Sequence, residues 1–167
     1  RGTLENLLVA PLSRWGFMLG KLTPYLLISM TMATCIFLVA RWVFGIPIRG
    51  DVSALFLATF LYVFTMLSLG LLISSRAQNH MQALQMTMAL LLPAVFFSGF
   101  IFPIETMPKF FQWISTLIPA TYFIGLMRAI MLRGASVAEY WFSFAVLAAM
   151  GAGLFSLCVI RFRQRIA

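Results

Sequence analysis

Residues 98–128 read SGFIFPIETMPKFFQWISTLIPATYFIGLMR, an apolar stretch interrupted by Pro103, Pro108 and Pro119 and by Glu105, Lys109 and Arg128. A backbone group left without a hydrogen bond in hydrocarbon costs several kcal/mol. Helix breakers at membrane depth are therefore tolerated only where protein or a water-lined cavity satisfies the freed groups. Pro103 and Pro108 bracket a turn. Beyond them, Lys109, Gln112, Ser115 and Thr116 fall on one side of a helical wheel, with Phe110, Phe111, Trp113, Ile114, Leu117 and Ile118 filling the rest, so this part reads as a helix partly sunk in the membrane interface. Pro119 suits the first turn of a second helix running to about residue 132, too short and too charged at Arg128 for a clean crossing. The pair predicts a re-entrant helix hairpin over about residues 103–132, the alternative being a long external loop lying on the bilayer.

The rest of the chain agrees with a membrane setting. At 62% hydrophobic and 10% charged residues, it lies outside the balance of soluble domains. Windows long and apolar enough to cross a hydrocarbon core of about 30 Å fall at residues 22–40, 53–74, 83–102 and 138–160. They are rich in Leu, Phe, Met and Ala and lack the short alternating strands of a barrel, so the expected fold is an all-α polytopic bundle of four spans. Arg1, Arg14 and Lys21 precede the first window, Arg76 follows the second, and Arg161, Arg163 and Arg165 follow the fourth. The other five basic residues lie in the opposite set of loops, so the positive-inside bias is modest; by it these ends face the cytoplasm, leaving 41–51 and 105–139 outside. A first residue of Arg rather than Met reads as a chain that starts inside a longer protein.

The net charge of +8 reports this topology. Its basic residues sit at span ends, not on a solvated face with aromatic or polar partners, which argues against nucleic acid as a partner. Cys35 and Cys158 lie in separate windows as small apolar side chains, and His80 has no second ligand at metal spacing, so no metal site is expected. No base accompanies Ser74, Ser75 or Ser98, and no HExxH, intramembrane carboxylate pair or GxxxxGK[ST] loop occurs, so the chain is read as non-enzymatic. Ion-coupled transport would place carboxylates near midplane. The four acids Glu5, Asp51, Glu105 and Glu139 all fall at or beyond span ends, which weighs against a secondary transporter.

Residues 1–21, RGTLENLLVAPLSRWGFMLGK, place Leu4, Leu7, Leu8, Leu12 and Trp15 on one arc of a wheel and Glu5, Asn6, Ser13 and Arg14 off it. Thr3 is a good N-cap, Glu5 suits the positive end of the helix dipole, and Pro11 ends or restarts the helix. Two readings stand: an interfacial helix on the bilayer, or an element that docks Glu5 and Arg14 onto a cytoplasmic partner.

The GTLE-L-PL-GK entry with the following PYLL, the PIE-MP turn, the IP-Y-R segment containing Pro119, Tyr122 and Arg128, and the RFRQR ending resemble the membrane subunits of type-2 ATP-binding-cassette exporters along essentially the whole chain. The resemblance implies the last four of six spans. It implies that Thr3, Leu4, Glu5, Leu7, Leu8 and Arg14 belong to a cytoplasmic coupling segment. It further implies that Pro103, Glu105, Pro108, Pro119, Tyr122 and Arg128 shape a re-entrant hairpin capping the outer end of the pathway. ATP and Mg would be bound by a separate nucleotide-binding ATPase and no cofactor by this chain. The partners implied are that ATPase, a second permease subunit in a homo- or heterodimer, and the lipid bilayer, with a periplasmic adaptor as a further candidate. The expected location is the bacterial inner membrane. A membrane scaffold or assembly factor that transports nothing is the rival class. Met66, Met86, Met88, Phe96 and Phe97 are candidates for an adaptable apolar route or for plain helix packing. Arg128 reads as pairing with Glu105 or Glu139, as snorkelling to the interface, or as meeting substrate.

Overall fold

In the computed structural model, residues 14–136 and 138–162 are described. Among them six α-helices follow one another: α1 (Arg14–Trp42), α2 (Val52–Arg76), α3 (His80–Phe97), α4 (Lys109–Thr116), α5 (Pro119–Arg128) and α6 (Trp141–Phe162). A 3-10 turn at Ile104–Thr106 precedes α4, and α5 runs on through a π turn at Ala129–Arg133. The helices α1, α2, α3 and α6 are long and apolar enough to cross a membrane. The fold is a polytopic helical bundle.

Two boundaries depart from the hydropathy windows, each for a local reason. Residues 14–21, expected in a coupling segment distinct from the first span, are the opening turns of α1. No proline interrupts them, and Met18 and Leu22 are buried together against Phe155, Cys158 and Val159 of α6. At the far end of the third window, α3 stops at Phe97 rather than 102. Gly99 adopts φ 82°, a left-handed conformation that ends a helix, and Pro103 follows. With 18 residues α3 is about 27 Å long, against about 37 Å for the 25 residues of α2.

The bundle has a Trp42 end and an Arg76 end. Trp42 and Trp141 stand exposed towards the first and Trp15 towards the second, the distribution expected of an interfacial aromatic belt. At the Trp42 end Asp51 caps α2: its carboxylate accepts from Ser53 N at 2.9 Å and from Ser53 Oγ at 2.7 Å. The Ser53 hydroxyl and then its backbone N–H hold the Asp51 carboxyl below the usual carboxylate range. At the Arg76 end Asn79 caps α3 by accepting from Gln82 N at 2.8 Å, while Gln82 Oε1 accepts from Gln78 N at 2.7 Å.

Between helices in lipid there is little hydrophobic driving force, so close packing and interhelical hydrogen bonds decide the contacts. The most extensive contact joins α2 and α6. Ala54, Ala58, Thr65 and Ser68 are buried on α2, and Gly151 of α6 lies so close that a Cβ there would meet Thr65 Oγ1 at 2.7 Å. Thr65 donates within its own helix to the Leu61 carbonyl (2.6 Å) and lies 3.3 Å from the Leu147 carbonyl across the seam. Towards the Trp42 end, Ala54, Leu55 and Ala58 pack with Leu126 and Ile130 of the α5 segment and with Phe144 and Leu147 of α6. By contrast, α3 has no buried residue.

Gly151→Leu should overpack this seam and lower the stability of the protein by about 1–3 kcal/mol, read as a drop in its unfolding temperature in detergent. Gly153→Leu, where an added Cβ meets nothing within 4 Å, should leave that temperature near the parent value.

Candidate functional site

The proline-rich stretch forms an elbow. Its two arms, Lys109–Thr116 and Pro119–Arg133, meet at 89° across a two-residue break, an open hairpin rather than a tight antiparallel one. The second arm contains ten α residues and five π residues and is about 22 Å long. Its C-terminal end is pinned at the Trp42 end of the bundle. Arg49 N donates to the Met131 carbonyl at 3.2 Å, and Gly50 and Gly134 make the close approach possible: a Cβ on Gly50 would meet the Ile130 carbonyl at 2.5 Å. Further in, Phe123 stacks on Tyr62 with centroids 4.3 Å apart and planes 7° apart. Tyr62 lies about 15 Å along α2 from Val52, so Pro119, one turn beyond Phe123, sits near mid-depth.

At that depth every freed backbone group needs a partner inside the protein. Pro119 occupies the first turn of α5, where no N–H is required. Tyr122 Oη donates back across the elbow to the Thr116 carbonyl at 3.0 Å, covering the end of α4. The end of α3 is covered from the same element. Ser115 Oγ donates to the Phe97 carbonyl (2.6 Å), with the Phe111 carbonyl 3.0 Å away, and Arg128 Nη2 donates to the Gly99 carbonyl at 3.0 Å. Phe97 and Phe111 stack beside these bonds, centroids 5.1 Å apart.

Of the residues singled out in the sequence, Tyr122 and Arg128 act in this stitching, and Pro119 opens the helix that carries both. Pro103 precedes the 3-10 turn, and Pro108 caps α4, its carbonyl accepting from Phe111 N (2.9 Å) and Gln112 N (3.2 Å). Glu105 is exposed in the 3-10 turn. Arg128 pairs with neither Glu105 nor Glu139. A carbonyl freed by the Gly99 break lies within reach of its guanidinium, and donating to it requires no second ion to be desolvated. The wheel of α4 is only partly kept: of its polar side Lys109 and Thr116 are exposed while Ser115 is buried against the end of α3, and Phe110, Trp113 and Leu117 are exposed as well. Ser115 and Gly99 were not singled out. The Gly before a Phe-Ile-Phe-Pro run and a Ser two turns past Pro108 are the only signals they leave in sequence. Thr3, Leu4, Glu5, Leu7 and Leu8 lie outside the described residues, and Arg14 opens α1.

Beneath the elbow, towards the Arg76 end, lies an apolar groove of about 680 Å³ between α2, α3 and α6. Tyr62, Met66 and Ile73 line one wall, Leu91 and Ala94 the other, and the elbow lines its end through Pro119. Of the methionines and phenylalanines named above as an adaptable route, Met66 alone lines it.

The family model for ABC-2 type transporters matches residues 1–132. The chain belongs to the ABC-2 type transporter family. It is 30% identical over 166 residues to "Probable multidrug ABC transporter permease YbhR" of Escherichia coli (strain K12), covering 99% of this chain and 45% of that protein. "Probable multidrug ABC transporter permease YbhS" of the same organism is 36% identical over 135 residues, 80% of this chain and 36% of the relative. "Inner membrane transport permease YhhJ", again from that strain, is 32% identical over 166 residues, 99% of this chain and 44% of the relative. The chain thus spans less than half the length of these curated relatives. No solved structure matches it. This chain is thus an integral membrane protein of that family, with four helices among the described residues long and apolar enough to cross a membrane.

Because the Arg128 guanidinium serves a carbonyl, Arg128→Leu should destabilise the protein by about 1 kcal/mol, and Arg128→Lys, which keeps a donor, by less. Combined with Glu105→Gln or Glu139→Gln, the losses should add within about 0.5 kcal/mol in unfolding midpoints. Larger coupling would show the guanidinium leaving Gly99 for a carboxylate.

Proposed function

We propose that this segment forms part of the translocation pathway of an ATP-driven exporter, working with a second permease subunit and powered by nucleotide-binding subunits on separate chains. The observation that carries the reading is the ABC-2 family match over residues 1–132, which includes the entry segment, three of the crossing helices and the elbow. The segment performs no covalent chemistry. It supplies a wall that moves when ATP closes its partners, and the ATP and Mg sites belong to those partners. Residues 1–21, with Glu5 and the Leu4, Leu7 and Leu8 face, are the proposed contact with the ATPase. The relatives carry names of multidrug and inner-membrane transport permeases, which favours small apolar cargo and a bacterial inner membrane.

The proposed orientation puts the Arg76 end in the cytoplasm, in keeping with Lys21, Arg76 and Arg161 at that end. In intact cells, Ser136→Cys in the exposed loop before α6 should react with an impermeant thiol reagent, and Gln78→Cys in the α2–α3 turn should not. Labelling of Gln78→Cys from outside would reverse the topology.

The coupling assignment is tested with the full-length permease and its ATPase in vesicles. Glu5→Arg should reduce cargo-stimulated ATP hydrolysis severalfold, in line with losing a charged contact worth about 1 kcal/mol, while leaving the amount of permease in the membrane near normal. Retained stimulation with normal abundance would rule out docking through Glu5.

A further inference from the structure

We propose that the groove beneath the elbow holds one acyl chain of an anionic phospholipid from the leaflet on the Arg76 side. Its walls are two facing helical stripes. On α2, Tyr62, Met66, Leu69, Gly70 and Ile73 recur at helical spacing; on α3, Thr87, Leu91, Ala94 and Ser98 do the same. From Ile73 to Tyr62 the groove is about 16 Å long. That is close to the thickness of one leaflet, half of a hydrocarbon core of about 30 Å.

One end is shut. The elbow lines the groove near mid-depth through Leu117, Ile118 and Pro119, and the bonds from Ser115, Tyr122 and Arg128 fix that closure. A crossing helix filling the groove would have to continue past this point to reach the opposite surface, since it needs about 30 Å. A lipid tail ends inside the bilayer, short of the opposite surface, as the groove does. The lining also offers little to water: the Thr87 hydroxyl donates to Ala83 O at 2.8 Å and the Ser98 hydroxyl to Val95 O at 3.2 Å, both within α3. An apolar space of this size inside a bilayer fills with apolar matter.

The mouth carries the complementary charge. One turn past Ile73 the α2 stripe ends at Arg76, and two turns before Thr87 the α3 stripe begins at His80, both exposed. The described acids, Asp51, Glu105 and Glu139, all lie towards the other end of the bundle. An anionic headgroup at the Arg76 level therefore meets cationic charge while its tail lies in the groove.

The test uses full-length permease in phosphatidylcholine vesicles doped with phosphatidylglycerol carrying a photoactivatable diazirine, either near the tail end of one acyl chain or near the glycerol. The tail-end probe should label residues 117–124 and Tyr62–Met66, and the glycerol-end probe the Ile73 and Thr87 region. Gly70→Phe projects bulk into the groove from a position where an added Cβ meets nothing within 4 Å, and it should abolish the elbow label. Leu91→Trp, on the exposed face of α3, should do the same should Gly70→Phe fail to fold. Gly153→Phe should keep the label. Arg76→Gln with His80→Gln should remove the preference for phosphatidylglycerol over a phosphatidylcholine probe with the same tail. Equal labelling of the elbow by both probes, label retained in Leu91→Trp, or a disulfide between Met66→Cys and a cysteine in a helix other than α1–α6 would overturn the proposal, the last by showing that protein fills the groove.

Discussion

A backbone that leaves the helix inside hydrocarbon must find its hydrogen bonds within the protein, and that constraint organises this molecule around the end of α3. The helix stops about 10 Å short of the reach of α2 because Gly99 turns the chain into the left-handed region. The carbonyls of Phe97 and Gly99 are then left without helical donors. Ser115 and Arg128 supply them from α4 and α5, and Tyr122 supplies the donor for the end of α4 itself. The three prolines of the stretch cost little because each sits where no N–H is needed: before the 3-10 turn, before α4 and in the first turn of α5. Breakers and charges in the greasiest region are thus parts of one solution. The breakers make the bend, and the donors cover what the bend exposes.

The α2–α6 seam answers a different demand. Lipid tails are as apolar as leucine, so large side chains gain little by meeting each other across two helices. Gly151 against Thr65 and the buried alanines of α2 let the backbones approach closely enough for dispersion to act over many atoms. The hydroxyls on these helices satisfy themselves on the preceding turn, as Thr59 does on Leu55 O and Ser68 on Phe64 O. They can therefore sit in the seam without an unsatisfied donor.

How much of this was legible in sequence varied with the physics involved. Four crossings follow from hydropathy, because length and apolarity are what a bilayer selects, and the elbow follows from prolines at the spacing of two short helices. The end of α3 does not, because Phe100, Ile101 and Phe102 raise the hydropathy of a window without continuing its helix. The partner of Arg128 was sought among carboxylates, since opposite charge is the signal a sequence displays. A carbonyl freed by Gly99 has no letter of its own. The buried role of Ser115 is hidden in the same way: on a wheel its hydroxyl groups with Lys109 and Gln112, and only the position of Phe97 in space turns Ser115 inward while Lys109 stays exposed. The entry segment through Leu8, one of the stretches that carry the family resemblance, lies outside the described residues.

These two solutions leave α3 in an unusual mechanical position. It is capped by Asn79 at the Arg76 end and stitched by Ser115 and Arg128 at the other, yet along its length it buries no residue. Met81, Leu84, Met88 and Leu92 point away from the rest of the described chain with half or more of their surface free. A helix with so little lateral contact has its tilt set by its ends and by whatever flanks it, whether lipid or protein. The seam of α2 and α6 is different, since its backbones approach so closely at Gly151 that not even a Cβ would fit there without a shift. Within this segment, then, α2, α5 and α6 form the packed unit. α3 is the element whose position along the membrane can change at the smallest cost in contacts, while its link to the elbow stays intact.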